Sequence, residues 1–259
     1  MHFPLPLLTL ALLPLCSANA LTPQHIFSNP STADSSLSAQ RIPTSYESAI
    51  LARRILRLTG TGTLATVFPS STQNKDDEET NEQRPDGLGG VPIGLMDYIA
   101  DCESIGNPTI LAISIATPFK NVRAGSNISL ALTWVPPHIS TSKFYSAANL
   151  PRFSLLGYLE PIPSSSSSSS PQDLAKCFTT THPDAKYWLP GNHIHESSWV
   201  RLVVTQVYWV GGFGDRAYIG WIPVEEWRNV TQAEIENVRL PGEKEKKADW
   251  SGWFGSWEL

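Results

Sequence analysis

The stretch from Trp199 to Val210 constrains the fold more than any other part of the chain. It is long for a strand, rich in valine and aromatic side chains, and apolar on both faces for much of its length. Such a run belongs between neighbours in a sheet, because an edge position would leave half of it in water. It predicts a central barrel strand, with apolar surface that a second copy of the chain can cover. Thr63 to Phe68, Val91 to Ile99, Thr109 to Ile115, Ile128 to Val135 and Arg152 to Ile162 also read as strands. Gly211-Gly212 breaks the long run, and Ala217 to Ile222 is the last strand.

Helices are fewer. Thr44-x-x-Glu47 is a capping-box pattern, in which a hydroxyl and a carboxylate each satisfy an orphan backbone N–H. Ile50, Leu51, Ile55 and Leu58 then share a face, Gly60 ends the element, and Arg53, Arg54 and Arg57 are predicted to point to solvent. Pro171 and Asp173 mark a second helix start, with Leu174, Cys177, Phe178 and Thr181 on one side. Pro223 to Trp227 opens a short third helix, its acidic pair near the positive end of the dipole. Strands that do not alternate with helices argue against a doubly wound sheet. The pattern predicts a mainly β (α+β) fold, a mostly antiparallel barrel with peripheral helices. Nine Trp and 21 Pro agree with many strands and turns. A net charge of -5 offers no basic face, which argues against nucleic acid as a partner.

The first 20 residues read as a signal peptide. Leu5 to Leu15 has the length of an h-region and Ala18-Asn19-Ala20 supplies small residues at the cleavage site. The run is too short, and too broken by proline, for a membrane span. Residues 21–40 read as a linker, 41–240 as the barrel domain with flexible inserts at 69–90 and 163–171, and 241–259 as a polar and aromatic tail. Export predicts a secreted protein, or one in the secretory-pathway, vacuolar or lysosomal lumen. It also gives meaning to the sequons at Asn127 and Asn229. Cys102 and Cys177 remain in the mature chain. They form either one bridge or two separate buried thiols, because sequence alone does not set their spacing.

Few motifs carry chemistry. His193-Ile194-His195 would place two rings on one side of a strand, but Glu196 is the one further ligand nearby, and a surface loop with one packed histidine is the expectation. The chain lacks G-x-S-x-G, H-E-x-x-H and a glycine-rich phosphate loop. The tail from Trp250 to Trp257 follows basic residues, and a surface-associated protein working through it is one functional alternative.

A set of short matches lies along the chain in a fixed order. It comprises Gly62 to Thr66, Gly90 to Gly94, Asn121-Val122, Ser129-Leu130, His182-Pro183-Asp184 through Trp188, His193, Arg201-Leu202, Thr205, Val207, Phe213-Gly214, and Pro223-x-Glu225-Glu226-Trp227. With these, the chain resembles the CREG family over about residues 45 to 230. It departs in Asp215, which stands where the family has a second glycine, and in the charged and serine-rich inserts. The resemblance implies the split β-barrel of FMN-binding, pyridoxamine-phosphate oxidase-like proteins. It also implies a homodimer and a secreted or lysosomal glycoprotein without flavin chemistry.

Flavin-binding relatives place a cation three residues before the Asn121-Val122 pair, and here that position is Pro118. Proline offers neither charge nor N–H to a phosphate. Thr117 and Lys120 are the candidate contacts should FMN bind, Lys120 sharing the facing of Pro118 on an extended backbone. The resulting expectation is a non-catalytic binding protein with an unknown protein or glycan partner and no cofactor. An FMN-dependent oxidoreductase on the same barrel is the rival.

Overall fold

The computed structural model describes residues 41–70, 84–137, 146–163 and 171–243. The predicted signal peptide, the linker, the serine run and all but the first residues of the tail lie outside these stretches. So do residues 71–83 of the charged insert.

Seven strands follow in chain order: β1 Thr61–Val67, β2 Pro92–Ala100, β3 Thr109–Ile113, β4 Ile128–Thr133, β5 Arg152–Pro161, β6 Ser197–Val210 and β7 Ile219–Ile222. They pair antiparallel in the order β3-β2-β1-β4-β5-β6-β7, and a further β3–β6 ladder closes the first six into a barrel. This is the expected split β-barrel with peripheral helices. The length of β6 has a structural cause. Its first half pairs with β3 through Ser197 to Arg201, its second half pairs with β7 through Val207 to Val210, and β5 runs along its other edge. Val200, Leu202, Val204, Val207 and Trp209 of β6 enter the core. The parity shift between Val204 and Val207 comes from a bulge in β6, where Thr205 is the extra residue opposite the Leu156/Gly157 step of β5. A Cβ at Gly157 would lie 1.9 Å from the Val203 carbonyl oxygen, so only glycine permits this approach.

The helices are α1 Ser45–Leu58, α2 Thr117–Arg123, α3 Pro171–Thr181, α4 Val224–Asn229 and α5 Gln232–Asn237. The capping box of α1 forms as the sequence indicates, with the Glu47 side chain accepting from the Thr44 N–H at 2.8 Å. The α1 helix packs on α4, α5 and β7, burying Ala49, Ala52, Ile55 and Leu56. The α3 helix lies over a smaller cluster containing Ala100, Leu111, Phe178 and Ala185. A disulfide between Cys102 and Cys177 ties this helix to the end of β2 across 75 residues of sequence. A link closing so long a loop stabilises the fold by about 4 kcal/mol on loop entropy.

The expectation that Arg53, Arg54 and Arg57 point to solvent holds for Arg57, which is exposed, and fails for Arg53 and Arg54. The Arg53 side chain is fully buried. It donates to the Trp227 carbonyl at 3.1 Å and the Ser104 carbonyl at 2.8 Å. Its guanidinium carbon stands 5.3 Å from the Trp227 ring centroid. Gly106 makes room for it: φ there is +82°, and a Cβ would sit 2.7 Å from the guanidinium. Arg54 pairs with Glu243 and donates to the Ile235 carbonyl, and Arg57 pairs with Asp101 at 2.8 Å. Arg53 reaches under α4 and Arg54 under α5, a helix that is not among those predicted above.

Candidate functional site

The barrel opens where β2 and β3 part. The two strands pair only at Ile99–Ile110 and Ala100–Thr109; beyond Ile110, β3 stays paired with β6 but leaves β2. The earlier part of β2 therefore has one hydrogen-bonded neighbour, β1. Leu95 and Asp97 lie on the same face of β2 as Ile99, opposite Leu64 and Gly62 of β1. This is the core-facing side: Ile99 and Leu64 are fully buried. With β3 turned away, Leu95 and Asp97 face a cleft of about 420 Å³ instead of the core. Its other walls are Ile113 and Ile115 from the end of β3, Thr117-Pro118 at the start of α2, and His195.

Among the described residues the cleft walls are apolar apart from Asp97, Thr117 and His195. Asp97 is half-buried, and its Oδ1 accepts the Tyr98 N–H at 2.8 Å. Among the described residues no cation lies within ion-pair distance of its carboxylate. Burial pushes the Asp97 carboxyl up to about 6, partly opposed by the Tyr98 N–H.

The sequence-derived candidates separate here. Thr117 lines the cleft, whereas Lys120 does not. Residues 117–123 are helical, not extended, so Lys120 is turned about 200° around the axis from Pro118. The Phe119 and Lys120 amides both donate to the Ala116 carbonyl, and Pro118 has no N–H to give. The described walls thus present a carboxylate and a proline where a flavin phosphate would need cations or amide donors. These residues do not fit that group.

The paired histidines also separate from their expected role. His193 and His195 are both exposed, and the Asn192 carboxamide oxygen accepts the His195 N–H at 3.0 Å. The packed histidine is His182. Its ring stacks 4.2 Å from Tyr98, and Nε2 bonds the Ile99 carbonyl at 2.8 Å. Among the described residues no group of three metal-ligating side chains gathers. Both sequon asparagines are exposed, Asn127 just before β4 and Asn229 at the end of α4.

A larger groove of about 720 Å³ runs beside β1 and β4, walled by Leu58, Met96, Trp134 and Val135. Among the described residues its one charged wall group, Glu243, is already paired with Arg54. The smaller cleft therefore carries the more distinctive chemistry. Asp97 was not singled out from sequence, although its parity with Leu95 and Ile99 marks it as an acid on a core-facing position. No helix among the described residues is long and apolar enough to cross a membrane.

The family described as CREG, beta-barrel matches residues 43–229. Similar solved structures include a heme binding protein from Mycobacterium smegmatis, 20% identical over 73% of this chain and 61% of that chain, with a TM-score of 0.48. A protein of unknown function from Agrobacterium tumefaciens is 21% identical over 77% of this chain and 64% of that one, at a TM-score of 0.45. The heme storage protein HutZ from Vibrio cholerae is 12% identical over 68% and 95%, at 0.37. No curated protein matches the chain in sequence.

Proposed function

The chain belongs to the CREG β-barrel family, and from that premise we propose that it is an exported glycoprotein acting by recognition on a split-barrel dimer, not by flavin chemistry. One observation carries the reading. The described walls of the cleft at the barrel split hold Pro118 and Asp97, and no lysine or arginine. A phosphate dianion brought there would be desolvated without a counter-charge and set near a carboxylate. That costs several kcal/mol, enough to weaken binding by orders of magnitude.

Export is supported by the h-region with its small-residue cleavage site and by the sequons at Asn127 and Asn229, both solvent-facing. The dimer is supported by apolar side chains on and beside the outward face of β1 and β2: Val67, Val91 and Met96, with Met96 64% exposed. Surfaces of this kind favour a protein partner.

The decisive test is optical. Protein purified from its secretion medium should show no flavin absorbance, and titrating it into FMN should leave the flavin fluorescence unchanged at micromolar protein. Sub-micromolar quenching would overturn the reading and promote the FMN-dependent oxidoreductase. Two measurements test the rest. Glycosidase treatment should lower the apparent mass by up to two glycans. Sedimentation should give twice the chain mass, and a monomer at micromolar concentration would remove the dimer.

A further inference from the structure

We propose that the cleft where β2 and β3 part is a binding site for a small organic ammonium compound, with Asp97 pairing the cationic head and the apolar walls holding its body. The inference rests on the reading above that the cleft does not hold a flavin.

The argument starts from the sheet. A core-facing strand position normally holds an apolar side chain, since a carboxylate there must be desolvated. Leu64 and Leu130 fill such positions on β1 and β4, and Ile99 does so one step further along β2. Asp97 breaks that rule where the barrel parts. A buried carboxylate kept for structure alone is normally given partners, as Asp101 is by Arg57. Asp97 has one backbone N–H from its own neighbour. Its remaining acceptor capacity is directed to the cleft.

The walls then define what can enter. Leu95, Ile113 and Ile115 offer aliphatic surface, and a volume of about 420 Å³ suits a small molecule. An anion meets the Asp97 carboxylate and is repelled. A bare metal ion finds one carboxylate and no further acidic ligand in the walls, too few oxygens for a hard cation. A neutral apolar molecule gains the walls but leaves the carboxylate without a counter-charge. An alkylammonium satisfies both parts: its N–H groups pair with the free carboxylate oxygen and its chain covers the aliphatic walls. The exposed ring of His195 stands at the same opening and adds a polar contact for the head.

The test uses the full-length secreted protein and three probes of nearly the same shape: heptylammonium, heptanol and heptanoate. Calorimetric titration at pH 7.5 should show the ammonium binding at least tenfold more tightly than the alcohol, and heptanoate not binding. Asp97→Asn should reduce ammonium affinity at least tenfold and leave heptanol unchanged. Ile115→Lys changes a side chain that is 51% exposed, so the fold tolerates it, and it places a competing cation at the cleft. It should remove ammonium binding as well, and it decides the matter if Asp97→Asn fails to fold. Equal affinities for the three probes, no ammonium binding, or ammonium binding unchanged in either folded variant would overturn the proposal. FMN titrated into the same samples keeps the two readings apart. If neither FMN nor the ammonium binds, this inference fails alone. If FMN binds at sub-micromolar concentration, the reading beneath it fails.

Discussion

Arg53 on α1 and Asp97 on β2 are both charged residues set toward the interior, and the barrel treats them differently. Arg53 lies under α4 at the closed end, where two carbonyls, the Trp227 ring and Asp101 at 4.0 Å surround its guanidinium. Asp97 lies at the split, where one backbone N–H reaches it. Burying a charge costs several kcal/mol unless partners replace its water. The closed end supplies those partners and the split does not. A charge held by several protein partners is part of the scaffold. A charge left half-buried with open acceptor capacity marks the place where the fold keeps an opening.

Removing the surrounded charge is the strongest way to break the comparison. Arg53→Ala should destabilise the protein by about 3–5 kcal/mol, because it strands the Trp227 and Ser104 carbonyls and leaves Asp101 with Arg57 alone. Arg53→Lys should recover only part of this, since an ammonium cannot span two carbonyls and face a ring as the planar guanidinium does. Denaturant unfolding would show it as a lower midpoint at unchanged slope. A loss within 1 kcal/mol would put Arg53 and Asp97 in the same class.

The opposite sign is expected at the split. Burial raises the Asp97 carboxyl from 3.8 to about 6. Between those values the folded chain holds a proton that the unfolded chain has released, so stability falls as pH rises from about 4 to 6. Above that window the full penalty is present. Asp97→Asn should therefore stabilise the protein by about 1–3 kcal/mol at pH 7.5 and by almost nothing at pH 3.5. Unfolding midpoints of the two proteins across this range would converge on the acid side. Parallel curves would mean that Asp97 has found a partner and that the split is closed.

Much of this was legible in the sequence, for reasons that can be named. Period-two patterning and β-branched runs located the strands, and Thr44 with Glu47 marked the start of α1 because a capping box is a local device. The destination of Arg53 was not legible, since the carbonyls that hold it come from Ser104 and Trp227, 51 and 174 residues away. The α2 helix carries a helix-start signal in Pro118, in its first turn, but it has no side-chain cap and runs only seven residues. The shared facing of Lys120 and Pro118 needed an extended backbone, which the helix does not provide. The weight of Asp97 depends on β3 leaving β2 after two residue pairs, a feature of pairing that composition does not record.

The last and smallest effect concerns an acid treated in a third way. Thr231-x-x-Glu234 repeats the spacing of Thr44-x-x-Glu47 and caps α5, with the Glu234 carboxylate accepting from the Thr231 N–H at 2.8 Å. Hydrogen bonds from the Thr231 backbone and hydroxyl and from Tyr46 hold the Glu234 carboxyl below its ordinary value. Its contribution is thus present at neutral pH and lost on acidification, the reverse of Asp97. Thr231 is also the hydroxyl residue of the sequon at Asn229. Thr231→Ala therefore removes the cap and the glycan acceptor together, Asn229→Gln removes the acceptor alone, and Thr231→Ser keeps both. In protein made without glycans, Thr231→Ala should cost about 1 kcal/mol at pH 7 and less at pH 3.5, with Thr231→Ser and Asn229→Gln near the parent. In secreted protein, Thr231→Ser should keep the mass shift on glycosidase treatment, and the other two variants should lose the part due to Asn229. If Asn229→Gln destabilises the glycan-free protein as much as Thr231→Ala, the asparagine side chain and not the cap holds this end of α5 against α1.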